Sequence, residues 1–351
     1  MVSIANATPV GPPLVPIQDK PRARTYSAEL PPYPSSWYCV GWSDELPPGG
    51  VRTRRIAGQE IVLFRTRAGK PAAVEAHCSH MGAHLGHGGV VDDETIRCPF
   101  HGFCFDAEGK CTKTGYGTRP PPKARQRAWP LLERHGVLLA FFDPLGRPPR
   151  WDIPDAEMTG WTPLRHRVLH LRSHPQEICE NSVDLGHFRY IHGYDAVEEL
   201  APLETDGPYL HARYGFRRRR RGLGSFREIS VQIEIHQRGL GYAFVEARTS
   251  IGMLSRQLVM VTPIDGEQVE LRIGNSIRRE TTGPRSALLS LVPTRWLASL
   301  AFAEFARDVN QDLVIWNNKR YVSPPALAAG DGPVGAFRKW ARQFYPTEVG
   351  S

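Results

Sequence analysis

From residue 37 onward the chain alternates short apolar runs with turn-forming residues. Residues 38–42, 60–64 and 71–74 are brief hydrophobic stretches separated by Pro47-Pro48-Gly49-Gly50 and Arg67-Ala68-Gly69-Lys70. Runs of that length between glycines and prolines predict strands. Residues 102–105, a turn at 106–109, and runs at 127–131 and 136–142 complete a small all-β unit. The proline- and glycine-rich stretch 143–149 reads as a linker. The second half has a different rhythm. Residues 177–192 predict a helix with Gly193 as its stop. Four strands follow, at 226–237, 241–249, 257–262 and 268–277, and the alternation from Ile229 to Ile235 gives one buried and one wet face. From 286 to 321 the pattern turns helical, and 334–344 is amphipathic. No internal repeat is visible. The expected fold class is α+β, with a disordered segment at 1–30, an all-β domain at 31–150 and a sheet-based second domain at 151–351.

Composition changes this picture little. With 41% hydrophobic and 23% charged residues, 351 residues make an ordinary globular chain with room for two cores. A net charge of +8 would suit an acidic partner, but the bases are dispersed apart from Arg217 to Arg221. No nucleic-acid recognition motif surrounds that run. It reads as a solvated surface strand or loop, with docking of an acidic electron-transfer partner as the rival. Residues 1–22 lack a basic region followed by an apolar one, and the longest apolar stretch, 286–306, is broken by Pro293, Arg295 and Glu304. Neither a secretory signal nor a membrane span is expected. The expected location is cytoplasmic, where thiols stay reduced and serve metals. Cys39, Cys104, Cys111 and Cys179 lack ligand-like spacing and are expected to pack in cores.

The remaining cysteines differ. Cys78-Ser79-His80 and Cys98-Pro99-Phe100-His101 stand with seventeen residues between them. Zinc sites usually pair like ligands, as C-x₂₋₄-C with H-x₃₋₅-H. Here each short loop supplies one thiol and one imidazole. A Rieske [2Fe–2S] centre needs that division, because two cysteines hold one iron and two histidines the other. Structural zinc is the alternative. Gly82, Gly86, Gly88 and Gly102 permit tight loops whose backbone N–H groups can face sulfide. His84 and His87 exceed the two imidazoles required and are expected not to be ligands.

A second string runs from Glu180-Asn181 through Asp184 and His187 to His192. A non-heme Fe(II) site that activates O₂ takes two histidines and one carboxylate and leaves positions open. A core pair is the plain alternative. On a regular helix, positions five apart point ~140° away from each other. Convergence of His187 and His192 therefore needs a widened turn or a helix ending near His192. Asp184, three residues before His187, is better placed to hydrogen-bond a ligand histidine than to be a ligand. The carboxylate must come from elsewhere. In 302–316, Phe302, Phe305, Val309, Leu313 and Trp316 mark an apolar stripe. Asp312 lies ~60° from its centre, Asp308 ~100° and Glu304 ~140°. A carboxylate at the edge of a buried face needs a compensating cation. Asp312 is the expected ligand and Asp308 the fallback.

Together, C-x-H…C-x-x-H and E-N-x-x-D-x-x-H-x₄-H resemble the α-subunit of a Rieske non-heme iron oxygenase over residues 37–321. The resemblance implies Cys78, His80, Cys98 and His101 as cluster ligands and His187, His192 and Asp312 as the iron triad. It implies Asp184 as the link from the iron of one subunit to the Rieske histidine of its neighbour, in a head-to-tail homotrimer. It further implies a helix-grip sheet around a substrate cavity, O₂ as co-substrate, and electrons from NAD(P)H through a separate reductase, with or without a ferredoxin. No dinucleotide fingerprint occurs in the chain itself. Ala83 and Phe100 stand where high-potential Rieske proteins carry a further cysteine pair, so the cluster is similar to the lower-potential oxygenase kind. The strings from Cys78 to Leu85, Gly109-Lys110-Cys111, Gly115-Tyr116-Gly117 and Gln311 to Trp316 are similar to the 3-ketosteroid 9α-hydroxylase and cholesterol 7-desaturase group. Hydroxylation of a C–H bond in a hydrophobic, steroid-like polycycle is the implied reaction. Desaturation or demethylation is the near alternative. A Rieske electron carrier, or a lipid-binding protein whose cavity has lost its chemistry, are the rivals from other classes.

Overall fold

The computed structural model describes residues 30–221, 226–280 and 292–346. The segment expected to be disordered lies outside them up to residue 29, as do residues 286–291 of the expected helical stretch. The first half consists of ten strands: β1 (Ser36–Trp42), β2 (Val51–Ile56), β3 (Gln59–Arg65), β4 (Pro71–Glu75), β5 (Val90–Asp92), β6 (Thr95–Arg97), β7 (Cys104–Phe105), β8 (Cys111–Lys113), β9 (Leu131–Arg134) and β10 (Val137–Phe142). They form three small antiparallel sheets ordered β1-β10-β9, β2-β3-β4 and β5-β6-β7-β8. The expected turn joins β7 to β8: Gly109 N–H donates to the Asp106 carbonyl at 3.0 Å, and the Asp106 carboxylate accepts from Glu108 and Lys110 N–H.

β10 shows why an unbroken apolar run can be a strand. All six of its residues are buried. Leu138, Ala140 and Phe142 pack inward with Tyr38 and Ile61, while Val137, Leu139 and Phe141 pack outward with Trp37 and Trp42. The period of two divides the run between two cores. The outward core also contains Tyr242, Leu258 and Met260 from the second half. Thr262 Oγ1 donates to the Cys39 carbonyl at 2.7 Å across this contact, and Arg272 pairs with Glu45 at 3.1 Å. The stretch 143–149 is not slack, because buried Asp143 pairs with Arg147 at 2.8 Å.

The second half is one seven-stranded antiparallel sheet. Its strands are β11 (Arg165–Arg172), β12 (Asp195–Asp206), β13 (Tyr209–Arg221), β14 (Phe226–Arg238), β15 (Tyr242–Thr249), β16 (Met253–Pro263) and β17 (Gln268–Arg279), in the order β11-β17-β16-β15-β14-β13-β12. The fold is thus α+β, and the four expected strands are its centre. The periodicity reading misses β11, β12 and β13. β11 and β12 are the sheet edges, and their exposed, charged sequences blunt edges against further pairing, which hides the apolar alternation.

Among the described residues the α-helices are α1 (Pro175–Glu180), α2 (Leu185–Tyr190), α3 (Thr294–Asn318) and α4 (Val334–Ala341). The single helix expected at 177–192 is two. After α1, Ser182 and Val183 N–H bond back only three residues, and Asp184 leaves the helical region to cap α2. The 25-residue α3 lies against β11 and β17. Among the described residues no helix is long and apolar enough to cross a membrane. All six cysteines are buried and unpaired as disulfides, Cys39, Cys104, Cys111 and Cys179 within packed regions.

A close approach clamps the halves together. A Cβ on Gly241 would lie 2.2 Å from the Trp37 carbonyl oxygen and 2.6 Å from the Tyr38 ring. Gly241→Ala should therefore cost about 1–3 kcal/mol and lower the melting temperature by several degrees. A thermal melt checks this, and an unchanged midpoint would show that the contact is loose.

Candidate functional site

Two matched loops present the first site. Cys78 follows β4 and Cys98 follows β6. In each, the carbonyl of the cysteine accepts from the glycine four residues on: Gly82 to Cys78 at 2.8 Å and Gly102 to Cys98 at 3.2 Å. Both glycines have positive φ, +78° and +66°, a conformation that a β-carbon disfavours. Each cysteine N–H donates to the carbonyl five residues on, Ala83 or Phe103, at 2.8 Å. Cys78 and Cys98 are buried to 3% exposure, while His80 and His101 are half-buried with their rings 4.8 Å apart. His80 stacks on Phe103 at 4.2 Å. Burial, aided by the neighbouring Cys98 sulfur, pushes the Cys78 thiol up to about 11; backbone N–H groups of His80 and Met81 oppose the shift. Two buried thiols facing two surface-reaching imidazoles fit the donor set of a Rieske [2Fe–2S] cluster, and the N–H groups aimed at sulfur suit thiolate.

His84 is occupied otherwise. Its Nδ1 accepts from Gly86 N–H at 3.0 Å, and its Nε2 faces Glu60 at 3.6 Å.

The second site forms where α2 ends beneath α3. Asp184 fixes His187 twice: its carboxylate accepts the His187 backbone N–H at 3.1 Å, and its own carbonyl accepts from Nδ1 at 2.5 Å. A carbonyl only accepts, so Nδ1 carries the proton and Nε2 is left free. The ring contact thus comes from the backbone of Asp184, whereas its carboxylate was the expected partner. The chain leaves α2 with His192 N–H reaching back five residues to the His187 carbonyl, and Gly193 turns it at φ +65°. That widened turn brings the two rings to 5.0 Å. His192 Nδ1 donates to Gln311 Oε1 at 3.0 Å, and its Nε2 lies 3.7 Å from Asp312 Oδ2. One ligand atom from each of His187, His192 and Asp312 lies within 4.8 Å of the others.

The fallback Asp308 is engaged elsewhere. It accepts from the Tyr194 hydroxyl at 2.7 Å and from Arg218 Nη2 at 3.0 Å, and the Arg218 guanidinium stacks over the Tyr194 ring. The arginine run is therefore not a uniformly solvated surface. On β13, Arg217 and Arg219 pair outside with Glu228 and Asp195, and Arg218 turns inward. The side chains of Arg220 and Arg221 lie outside the described residues.

Burial, with His192 second, draws the His187 imidazole down to about 3, so it stays neutral and available as a ligand. Burial, then the charges of Asp308 and Asp184, pushes the Asp312 carboxyl from 3.8 up to about 7. Two imidazoles with Nδ1 tied back, beside a carboxylate short of positive charge, fit the two-histidine, one-carboxylate set of non-heme iron. These groups line one wall of a cavity of about 350 Å³, faced elsewhere mainly by aliphatic side chains such as Val231, Ile233 and Val245 and by Phe188 and Phe305.

Residues 36–123 match the Rieske [2Fe–2S] domain family, and residues 140–345 match the family described as 3-ketosteroid 9α-hydroxylase C-terminal domain. The chain is a Rieske non-heme iron oxygenase. Within this family it is 30% identical to a cholesterol 7-desaturase of Xenopus laevis, over 92% of this chain and 74% of that one. It is also 30% identical to the oxygenase component of a 3-ketosteroid-9-alpha-monooxygenase of Rhodococcus rhodochrous, over 88% and 82%. Among solved structures, the oxygenase fold is shared with NdmA of Pseudomonas putida CBB5, at TM-score 0.66 and 17% identity over 88% and 89% of the chains.

Sequence reasoning about this oxygenase missed Gln311, Tyr194 and Arg218. Gln311 could have been found from its place beside Asp312 on the same helix. Arg218 was marked only by the strand's period of two within the arginine run.

The Asp312 shift has a testable sign. In metal-free protein the folded state holds an extra proton between about pH 4 and 7, so the stability from this group is lost as pH rises through that window. Asp312→Asn removes the loss. Metal-free variant and parent should be equally stable near pH 4, and the variant more stable by about 2–4 kcal/mol near pH 8. Denaturant titration at both pH values checks this; a difference independent of pH would refute it.

Proposed function

We propose that this chain is the oxygenase component of a monooxygenase that uses O₂ and electrons from a separate NAD(P)H-dependent reductase to hydroxylate a C–H bond of a steroid-like polycycle. The observation that carries the reading is the juxtaposition of His187, His192 and Asp312 with a largely apolar cavity. The names of the relatives, a 3-ketosteroid monooxygenase and cholesterol desaturases, support the substrate class. Desaturation of such a substrate is the second reading, favoured by the same relatives.

Cys78, His80, Cys98 and His101 would hold the [2Fe–2S] cluster, and His187, His192 and Asp312 a mononuclear Fe(II). When bound, these groups supply single electrons and a place for dioxygen to be activated. The protein's own residues do the rest. Asp184 and Gln311 hold the two imidazoles with Nε2 presented. Arg218 and Tyr194 hold Asp308 in a closed network. The aliphatic wall excludes water and receives the substrate's rings. We place the division between the electron-holding and substrate-holding halves at residue 150.

We further propose a head-to-tail homotrimer in which Asp184 of one subunit faces His101 of the next. Exposed Phe100 and Tyr116 lie beside the cluster histidines, with exposed Met81 next in sequence to His80, and Tyr190 is exposed on α2, the helix that Asp184 caps; these apolar side chains need cover.

Iron analysis tests the assignment. The purified protein should carry about three irons per chain, against about two for an electron carrier. His187→Ala should lose one iron and all turnover yet keep the Rieske absorption; loss of both signals together would count against separate sites. Gln311→Leu should weaken the mononuclear iron by about 10- to 100-fold, because His192 loses the acceptor that orients it. Competition with a chelator measures this, and parental affinity would discard the role of Gln311.

A further inference from the structure

The cavity wall made by β14, β15 and β16 is apolar except at four side chains, and three of those are committed to protein partners. Gln237 accepts from Ser182 Oγ at 2.9 Å and donates to the Gly239 carbonyl at 3.2 Å. Thr249 donates to the Met253 carbonyl at 3.0 Å. Ser255 Oγ accepts from Asn275 Nδ2 at 2.6 Å. Gln257 alone has no hydrogen-bond partner among the described residues, and it lines the cavity in a row with Val245 and Ile235. A primary amide offers two donors and two acceptor positions. Leaving them unmade in an apolar wall is unfavourable, so the position suits a ligand that completes them.

The helix beside the cavity serves as a ruler. At one end Asn317 Oδ1 accepts from the N–H of Arg172, whose ladder partner is Gln268. At the other, Leu297 packs with Ile277. α3 therefore runs alongside β17. Gln257 pairs with Asn275, two residues from Ile277, which sets it level with the helical turn containing Ala301. From that turn to Asp312 the helix rises roughly 15 Å. Allowing for the glutamine's own length, the gap left for a ligand is on the order of 10–15 Å.

We propose that Gln257 is a specificity-determining residue: it hydrogen-bonds an oxygen substituent, ketone or hydroxyl, at the end of an elongated apolar polycycle remote from the carbon held near Asp312. This rests on the steroid-like reading of the cavity and adds to it a polarity and a length. A substrate with its only oxygen close to the reacting carbon would leave Gln257 unpaired, whereas one bearing the oxygen at the far end is held at both ends of the cavity.

The test uses the intact holoprotein and three steroids that differ at one terminal position, as ketone, hydroxyl or methylene. Binding is measured calorimetrically and the oxidised carbon is located by mass spectrometry. The parent should bind an oxygenated steroid about tenfold more tightly than the methylene analogue, the factor expected of one net hydrogen bond. Gln257→Leu should bring the three ligands within about twofold and scatter oxidation over neighbouring carbons, effects a merely structural role would not produce. Gln257→Glu keeps the shape and the acceptors without the donors, so it should retain the hydroxyl steroid and lose the ketone. It also covers the case in which the leucine variant does not fold. Undiminished discrimination in a folded leucine variant, or ketone binding as tight as the parent's in the glutamate variant, overturns the role of Gln257 while leaving the steroid reading intact. A parent that binds none of the three overturns the steroid reading, and the role of Gln257 falls with it.

Discussion

The break between α1 and α2, held by Asp184, is the constraint on which the gathering of His187, His192 and Asp312 depends. An uninterrupted helix from 175 to 192 would send the His187 and His192 rings ~140° apart. Asp184 prevents this by leaving the helical region, capping α2 with its carboxylate and taking the His187 ring proton with its carbonyl. The short helix then ends after one and a half turns, and the chain can fold His192 back over His187. One residue thus decides helix length, imidazole tautomer and ring convergence. Its backbone has as much part in this as its side chain.

Charge is balanced acid by acid around the same region. Among the described residues the buried carboxylates are Asp143, Glu177, Glu180 and Asp312. Asp143 has Arg147, Glu177 has Lys319 at 2.7 Å, and Glu180 has Arg338 at 2.6 Å. Less buried Asp308 has Arg218. Among the described residues Asp312 has only His192, whose Nε2 lies 3.7 Å away. A buried carboxylate without a lysine or arginine is unstable as an anion. The positive charge missing from its surroundings is one that a metal would supply.

Much of this was legible in the chain, and for physical reasons. Paired Cys and His with glycine at the fourth position after each cysteine describe two loops of one shape, because a carbonyl must receive the glycine N–H. Asp312 was legible because a carboxylate on the shoulder of an apolar stripe carries a burial cost. The arginine run misled because charge was read without the strand's period of two, which sends Arg218 inward and its neighbours out. The edge strands β11 and β12 escaped because an edge is built to look unlike a strand. No pattern of residue types reports the carbonyl of Asp184, since every residue has one.

The cavity has its own internal logic. β15 runs down the middle of the wall and contributes Ala247 beside Ile233 and Ala243 beside Val259, with Val245 between them beside Ile235. Small side chains in the central strand make a trough that larger ones would fill, so the room for a ligand is encoded by truncation and not by a gap in the backbone. Close packing elsewhere makes such a void costly unless it is kept for a ligand. The trough ends at a wall of charged side chains, Arg218 and Asp308, which are tied to each other and to Tyr194. Because that network satisfies itself, it can border an apolar space without drawing a ligand away. The imidazoles of His187 and His192 and the carboxylate of Asp312 face the cavity beside that network, set apart from the aliphatic wall.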